Sequence, residues 1–231
     1  MKNTNQGMSK AHPMPLTRLE LVYLSVVDGG LQVLLTKRAE APYAGRWALP
    51  GGVLRIHQDQ SLDAGAKRVM QERLGIAPPD IEQLCAVGGA KRDPRASWAL
   101  SIVYRVLVTS DSVKPSAGKR IEALEWREVG QAMSDPLAFD HAELVGRAVS
   151  ITQEQVEGMV MPRGLLAEHF TLTELQETCE KVLGRVLDKS SFRRKLDDRD
   201  LVEPVEGAMR GGAFRPAQLY RFTSPSVSSY V

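Results

Sequence analysis

The residues with the most chemical content stand close together in the sequence: Arg68, Val69, Glu72 and Arg73, between the pair Gly51-Gly52 and Gly75. Residues three and four apart share one face of a helix, so positions 69, 72 and 73 are expected to point into one site. Three carboxylates there would suit Mg²⁺, which takes oxygen ligands, usually carboxylates together with a phosphate. This chain offers one, Glu72. Valine has no ligand atom, and a guanidinium is not deprotonated in a protein. Arg73 sets a fixed positive charge beside the metal position, and Glu72 alone holds a cation poorly. The same guanidinium pairs well with a diphosphate, bidentately. A tolerated surface arginine and a core valine on an amphipathic helix would leave this face equally without a metal site.

Positioning these groups takes a helix and a scaffold. Ser61 is placed to cap a helix that runs to about Leu74, with Gly75 as its stop and Pro78-Pro79 beyond it. Upstream, the runs Leu19–Val27 and Leu31–Arg38 are separated by Asp28-Gly29-Gly30, which predicts a β-hairpin. A loop with Pro42 and Gly45 leads to Trp47-Ala48-Leu49-Pro50-Gly51-Gly52. Further strands are expected at Gln83–Val87, Ala99–Val108 and Ala123–Arg127, and a helix over Phe139–Ser150. That order predicts a mixed sheet flanked by helices.

After residue 150 the texture changes. Ile151–Gly164 is helical in pattern and ends at Met161-Pro162-Arg163-Gly164. Thr171 with Glu174 forms a capping box that opens one helix, Gly184 closes it, and Asp188 caps the next. Two short helices joined by a tight turn are a helix-turn-helix. Leu201–Val205, a glycine-rich turn at Gly207–Gly212 and Gln218–Phe222 then predict a hairpin, so the unit reads as a winged helix. Charge over residues 166–222 balances at ten basic and ten acidic residues. The distribution does not balance: acids gather on the first helix (Glu168, Glu174, Glu177, Glu180), cations on the second (Lys189, Arg193, Arg194, Lys195), with Arg210 and Arg215 in the wing. A helix-turn-helix puts its second helix in the major groove of DNA. Ser190 and Ser191 near its start are placed to reach phosphates or base edges. Phe192 and Leu196 have core spacing. A basic, solvated helix in a protein-binding winged helix is the alternative.

At 231 residues the chain has room for two ordinary domains, and 43 % hydrophobic with 25 % charged residues is a globular composition. Cys85 and Cys179 lack metal-type spacing, and His12, His57, His141 and His169 are scattered. No apolar run approaches a membrane span and the first residues lack a signal-peptide core, so a reduced, cytoplasmic protein without a membrane partner is expected.

Two resemblances follow. The Gly52–Ile76 segment resembles a Nudix box: a glycine, five residues, Glu, seven residues, then Arg-Glu-U-x-Glu-Glu-x-Gly-U, with U a bulky aliphatic. The glycine, Arg68, Met70, Glu72, Gly75 and Ile76 fit. Val69, Arg73 and Gln60 stand where glutamates belong, and seven residues separate Gly52 from Gln60. The whole chain from Leu19 to Phe222 resembles the Nudix-related transcriptional regulators, whose best-known members control NAD metabolism genes. The motifs are Trp47–Gly52, Arg92-Asp93-Pro94-Arg95, Leu137–Glu143, Phe170–Gln176, Phe192–Leu196 and Arg215–Phe222.

That resemblance implies a Nudix α/β/α sandwich with a mixed sheet, followed by a smaller α+β winged helix-turn-helix domain. The expected boundaries are a disordered lead-in 1–17, a ligand-sensing domain 18–150, a linker 151–165 and a DNA-binding domain 166–224. It implies a cytoplasmic homodimer, a repressor rather than an enzyme, on a roughly palindromic double-stranded operator. It needs no cofactor, and ADP-ribose or a related nucleotide sugar is the effector. For the ligand site the candidates are Arg38, Trp47, Glu72, Arg73, Arg92, Asp93 and Arg95; Arg92-Asp93-Pro94-Arg95 alone would read as a charged turn. For DNA they are Lys189, Ser190, Ser191, Arg193, Arg194, Lys195, Arg210 and Arg215. Alternatives are a pyrophosphohydrolase on ADP-ribose using Glu72 with Glu122, Glu125 or Glu128, a sugar-responsive regulator of carbohydrate genes, and a sensor acting through protein partners.

Overall fold

A computed structural model describes residues 14–75, 80–112, 121–211 and 216–223; Pro78-Pro79 and Arg215 fall outside them. The first unit is built on β1 (Leu16–Val27), β2 (Gly30–Arg38), β3 (Trp47–Ala48), β4 (Gly51–Val53), α1 (Leu62–Leu74), β5 (Glu82–Gly89), β6 (Ala99–Leu107), β7 (Ile121–Glu128), α2 (Val129–Ser134) and α3 (His141–Glu157). The β1–β2 turn takes Asp28 to φ 46° and Gly29 to φ 84°, the backbone that lets a two-residue loop follow the twist of the strands. β1 runs parallel to β6 along its length and antiparallel to β2 and β4, while β2 also pairs antiparallel with β3 and β7. The expected mixed sheet is therefore present.

Alternate residues of a strand face opposite sides, and both sides of β1 are covered. Leu19, Leu21 and Tyr23 pack with Val69, Met70 and Leu74 of α1, whereas Val22 and Leu24 pack with Leu144, Val145 and Val149 of α3. α1 has the predicted ends: the Ser61 side chain accepts from Ala64 N, and Gly75 sits at φ 64°.

Three expectations need correction. The helix placed at Phe139–Ser150 begins at His141 and continues to Glu157, because Thr152 and Val156 prolong the buried stripe and no breaker occurs between Ser150 and Gly158. Phe139 lies outside it at φ 57°. Residues 151–157, placed in the linker, are thus its last two turns. The short α2, which the sequence reading missed, buries only Val129 and Ala132, too little for a visible period.

The second unit holds α4 (Leu172–Leu183), α5 (Lys189–Asp198), β8 (Val202–Arg210) and β9 (Ala217–Phe222). Both capping-box bonds of Thr171 and Glu174 form, Gly184 adopts φ 68°, and Asp188 accepts from Ser191 N. The third correction is in the wing. β8 does not turn at Gly207; that glycine, at φ 67°, sits in a bulge between the pairs Pro204↔Tyr220 and Met209↔Gln218. A bridge between Phe170 and Tyr220 adds a third short strand segment. Phe192 and Leu196 are core, as their spacing indicated, and belong to one continuous apolar cluster that passes through Val156, Met159 and Leu165 to the sheet. No helix among the described residues is long and apolar enough to cross a membrane.

Candidate ligand site and nucleic-acid interface

β1, the end of β2, the last turn of α1 and the β5–β6 loop converge on one polar cavity of about 110 Å³, lined by Arg18, Arg38, Arg73 and Arg95, by Glu40, and by residues Leu49 to Val53. Four guanidiniums need compensation. Arg18 Nε donates to Glu20 Oε1 at 2.7 Å, and Arg95 Nε to Asp93 Oδ1 at 2.9 Å. Burial works against charge on Glu20, yet Arg18 and His141 outweigh it and hold this carboxyl well below the ordinary range. Asp93 behaves alike: burial raises it, while hydrogen bonds from Arg95 and the charges of Arg95 and Arg18 bring it below its usual value. Arg38 gives Nε to the carbonyl of Pro42 at 2.7 Å, and Arg73 gives Nε to that of Gly51 at 3.2 Å.

Phe139 stands in the middle of this charge, with its ring centroid 5.7, 5.2 and 6.0 Å from Cζ of Arg18, Arg38 and Arg95 and 4.8 Å from the Tyr43 ring. The negative face of an aromatic ring suits such cations. Next to it, buried His141 accepts from Leu49 N–H at Nδ1, 2.8 Å, and its Nε2 lies 3.8 Å from Glu20 Oε2.

Of the predicted ligand residues, the cavity is lined by Arg38, Arg73 and Arg95, with Asp93 beneath them. Arg92 stands behind it, forked onto both Asp140 oxygens at 2.8 Å and onto Ser101. Trp47 is covered by Arg127, 4.8 Å from its ring. Glu72 points away: Arg55 grips both its oxygens at 2.6 and 2.9 Å, and Arg68 adds a third bond at 3.1 Å. Positions 69, 72 and 73 therefore do not converge as expected, since Val69 is buried beneath Gly52. The alternative carboxylates are also engaged: Glu122 with Lys37, Glu125 with Arg127, and Glu128 as the cap of α2. Arg18, Glu20, Phe139 and His141 escaped the sequence reading. Arg18 and Glu20 did leave a signal, two charges at alternate positions of an otherwise apolar strand.

The box loop rests on Asp59, which takes 2.7 and 2.8 Å bonds from Arg68 and a 2.7 Å bond from Arg55 N. The Arg68 hydrogen bonds, more than the opposing burial, pull its carboxyl down to about 2 from 3.8. A carboxyl lowered on folding adds stability that is present above the unfolded value and lost as pH falls through the folded one. Between pH 4 and 2 the wild type should lose stability more steeply than Asp59→Asn; parallel acid-unfolding curves would contradict this.

In α5, Lys189, Ser190, Arg194 and Lys195 are exposed, while Ser191 and Arg193 are half-buried and Arg193 Nε is buried without a partner. The exposed cations form the face expected to meet phosphates. The α4–α5 turn is fixed by Glu180, which accepts from Leu187 N and Gln176. Arg210 binds Glu174 and the His169 carbonyl, so in this structure it ties the wing to the start of α4.

A two-sided α/β/α sandwich with this helix-turn-helix and wing defines a Nudix domain joined to a winged helix. Models of the NUDIX domain and of the NrtR DNA-binding winged helix domain match residues 18–147 and 162–222. The ADPR responsive transcriptional repressor NtrR of Acinetobacter baylyi is 38 % identical over 217 residues, 94 % of this chain and 86 % of that protein. Among solved structures, Shewanella oneidensis NrtR complexed with a 27mer DNA aligns with a TM-score of 0.77 at 32 % identity, over 90 % of this chain and 93 % of that one. The Nudix domain of the same protein complexed with ADP ribose aligns with 0.57 at 31 % identity, over 64 % and 94 %. The chain belongs to the Nudix family, in the branch that carries an NrtR-type winged helix.

Proposed function

We propose that this protein is a ligand-responsive transcriptional repressor whose Nudix domain binds ADP-ribose, or a related nucleotide sugar, without turning it over, and thereby controls operator binding at NAD metabolism genes. The observation that carries this reading is the four-arginine cavity joined through one continuous core to a helix-turn-helix with an exposed basic face. Guanidinium forks match diphosphate oxygens. The names of the relatives, an ADPR-responsive repressor and structures with DNA and with ADP ribose, agree with both halves.

α3 supplies the coupling. Asp140 at its start holds Arg92, and Phe139 just before it sits among the cavity arginines in a backbone conformation that non-glycine residues rarely adopt. At its other end Gln153 donates to the Val182 carbonyl at 3.0 Å, Glu157 pairs with Arg185, and the Gly158 carbonyl accepts from Arg199 at 2.6 Å. One helix of about 25 Å thus has the ligand cavity at one end and the DNA-binding helices at the other. Ligand controls DNA only if it binds the two states with different affinity; the proposed lever is the spacing of two recognition helices in a cytoplasmic homodimer on half-sites roughly 34–36 Å apart.

Operator titrations across salt test the assignment. Arg194→Ala and Lys195→Ala should each weaken binding on all sequences and flatten the log–log salt slope by about one unit. Wild-type slopes in both variants would remove α5 as the DNA face.

A further inference from the structure

We infer that Arg73 takes the electrostatic place of the divalent cation that this fold otherwise gathers, so that the site holds a diphosphate in metal-free form. The inference rests on the reading of the cavity as a diphosphate site, and it follows from how the three box positions are used. A cation there needs carboxylate oxygens facing the phosphates. The Val69 side chain fills that floor instead, so close under Gly52 that a Cβ on the glycine would lie 2.7 Å from Val69 Cγ2. Glu72 has both its oxygens committed to Arg55 and Arg68 and does not line the cavity. The third position brings a guanidinium to the cavity wall, anchored by Nε on the Gly51 carbonyl. Among the described residues no group of three or more His, Cys, Asp or Glu is placed to hold a metal. These residues do not fit a divalent cation.

The electrostatics run the same way. Glu20 answers Arg18 and Asp93 answers Arg95 within the wall, and Arg38 and Arg73 bring two further guanidiniums to the same wall beside Glu40, each with its Nε on a backbone carbonyl. Burial together with the neighbouring charges of Arg18 and Arg95 lowers the affinity of Arg38 for its own proton, the mark of a site crowded with positive charge. A diphosphate relieves that crowding. A diphosphate already chelated to Mg²⁺ relieves less of it, because the metal neutralises the anion and stands beside a fixed guanidinium, where like charges a few ångströms apart repel.

The test is calorimetric titration of the full-length wild type, Arg73→Ala, Arg73→Lys and Arg73→Glu with ADP-ribose, and in parallel with inorganic pyrophosphate, in EDTA and in millimolar Mg²⁺ at matched ionic strength. The wild type should bind in EDTA at least as tightly as in Mg²⁺. Arg73→Ala should lose about tenfold to a hundredfold in EDTA, and Arg73→Lys should recover part of that. Arg73→Glu should reverse the sign of the Mg²⁺ effect, binding better with the metal than without it. Melting temperatures matched to wild type show that each variant is folded. Wild-type binding that requires or is strengthened by Mg²⁺, or Arg73→Ala binding like wild type in EDTA, overturns the inference. Wild-type binding of pyrophosphate but not of ADP-ribose tells against the ligand reading and leaves the pyrophosphate series to decide Arg73. Absence of any anion binding sinks both.

Discussion

Replacing Arg95 with Ala should destabilise the Nudix domain by about 2–3 kcal/mol and weaken effector binding about tenfold to a hundredfold. The two losses have different causes. Asp93 has no exposed side-chain surface, and its paired oxygens look to Arg95, whose own side chain is 38 % exposed. Removing the guanidinium leaves a buried carboxylate with the more distant Arg18 and Arg38 charges and the backbone N–H of residue 95, which still donates at 3.0 Å. Water entering the space vacated by Arg95 keeps the cost at the low end for a broken buried pair. The effector loses a charge-assisted contact from the cavity wall, a separate matter. The double variant Arg95→Ala/Asp93→Asn separates them: a neutral amide needs no counter-charge, so stability returns while affinity stays low. Chemical denaturation and calorimetry on the same samples give both numbers. Restored affinity in the double variant would show that Arg95 acts only as a counter-ion to Asp93.

A single methyl at Gly164 is the second large perturbation. The glycine sits in a 3₁₀ turn at Arg163–Leu165, and an added Cβ would come within 2.1 Å of the Leu107 carbonyl oxygen and 2.7 Å of its carbon. That neighbour is backbone at the end of β6, held by pairing of Leu107 with Leu24 of β1, so the turn must give way rather than the sheet. Leu165 and Met161 leave their buried positions with it. The strain reaches the wing, because Arg163 stacks 4.8 Å over Phe222 and donates to the Thr223 carbonyl at 2.8 Å. Overpacking of this kind costs about 3 kcal/mol, and for a chain of this size the melting point should fall by about 6–12 °C. Effector should also lose its hold on operator affinity, because the turn joins the two halves. An unchanged melting point together with an unchanged effector response would show that the junction tolerates rearrangement.

Much of this could be read along the chain because it is local. Ser61, Gly75, Thr171, Glu174, Gly184 and Asp188 act on backbone groups within four residues of themselves, and each does in the structure what its type and position indicate. The Asp-Gly turn and the two-sided burial of β1 follow from the same short-range rules. Arg73 was within reach through its place in the box, and Arg38 and Arg95 through the family resemblance, since Arg92-Asp93-Pro94-Arg95 alone would read as a charged turn. What escaped depends on partners far away in sequence. Arg92 looked like Arg95, but Asp140, 48 residues on, claims it. Glu72 looked like a site residue until Arg55 closed on it. Trp47 stood among the ligand candidates, and Arg127 lies over its ring.

By itself, then, the sequence determined the ends of α1 and α4 and the start of α5, the two-part organisation, the loss of carboxylates from the box and the basic face of α5. All of these depend on residue type and on spacings of one to four residues. Only the tertiary structure decided which arginines share a cavity, that Val69, Glu72 and Arg73 leave the box in three directions, and that α3 runs unbroken from Phe139's surroundings to the DNA-binding helices. Those outcomes turn on which acceptor each long, flexible cation reaches, and a guanidinium takes the carboxylate or carbonyl that folding brings to it, whatever the distance between them along the chain.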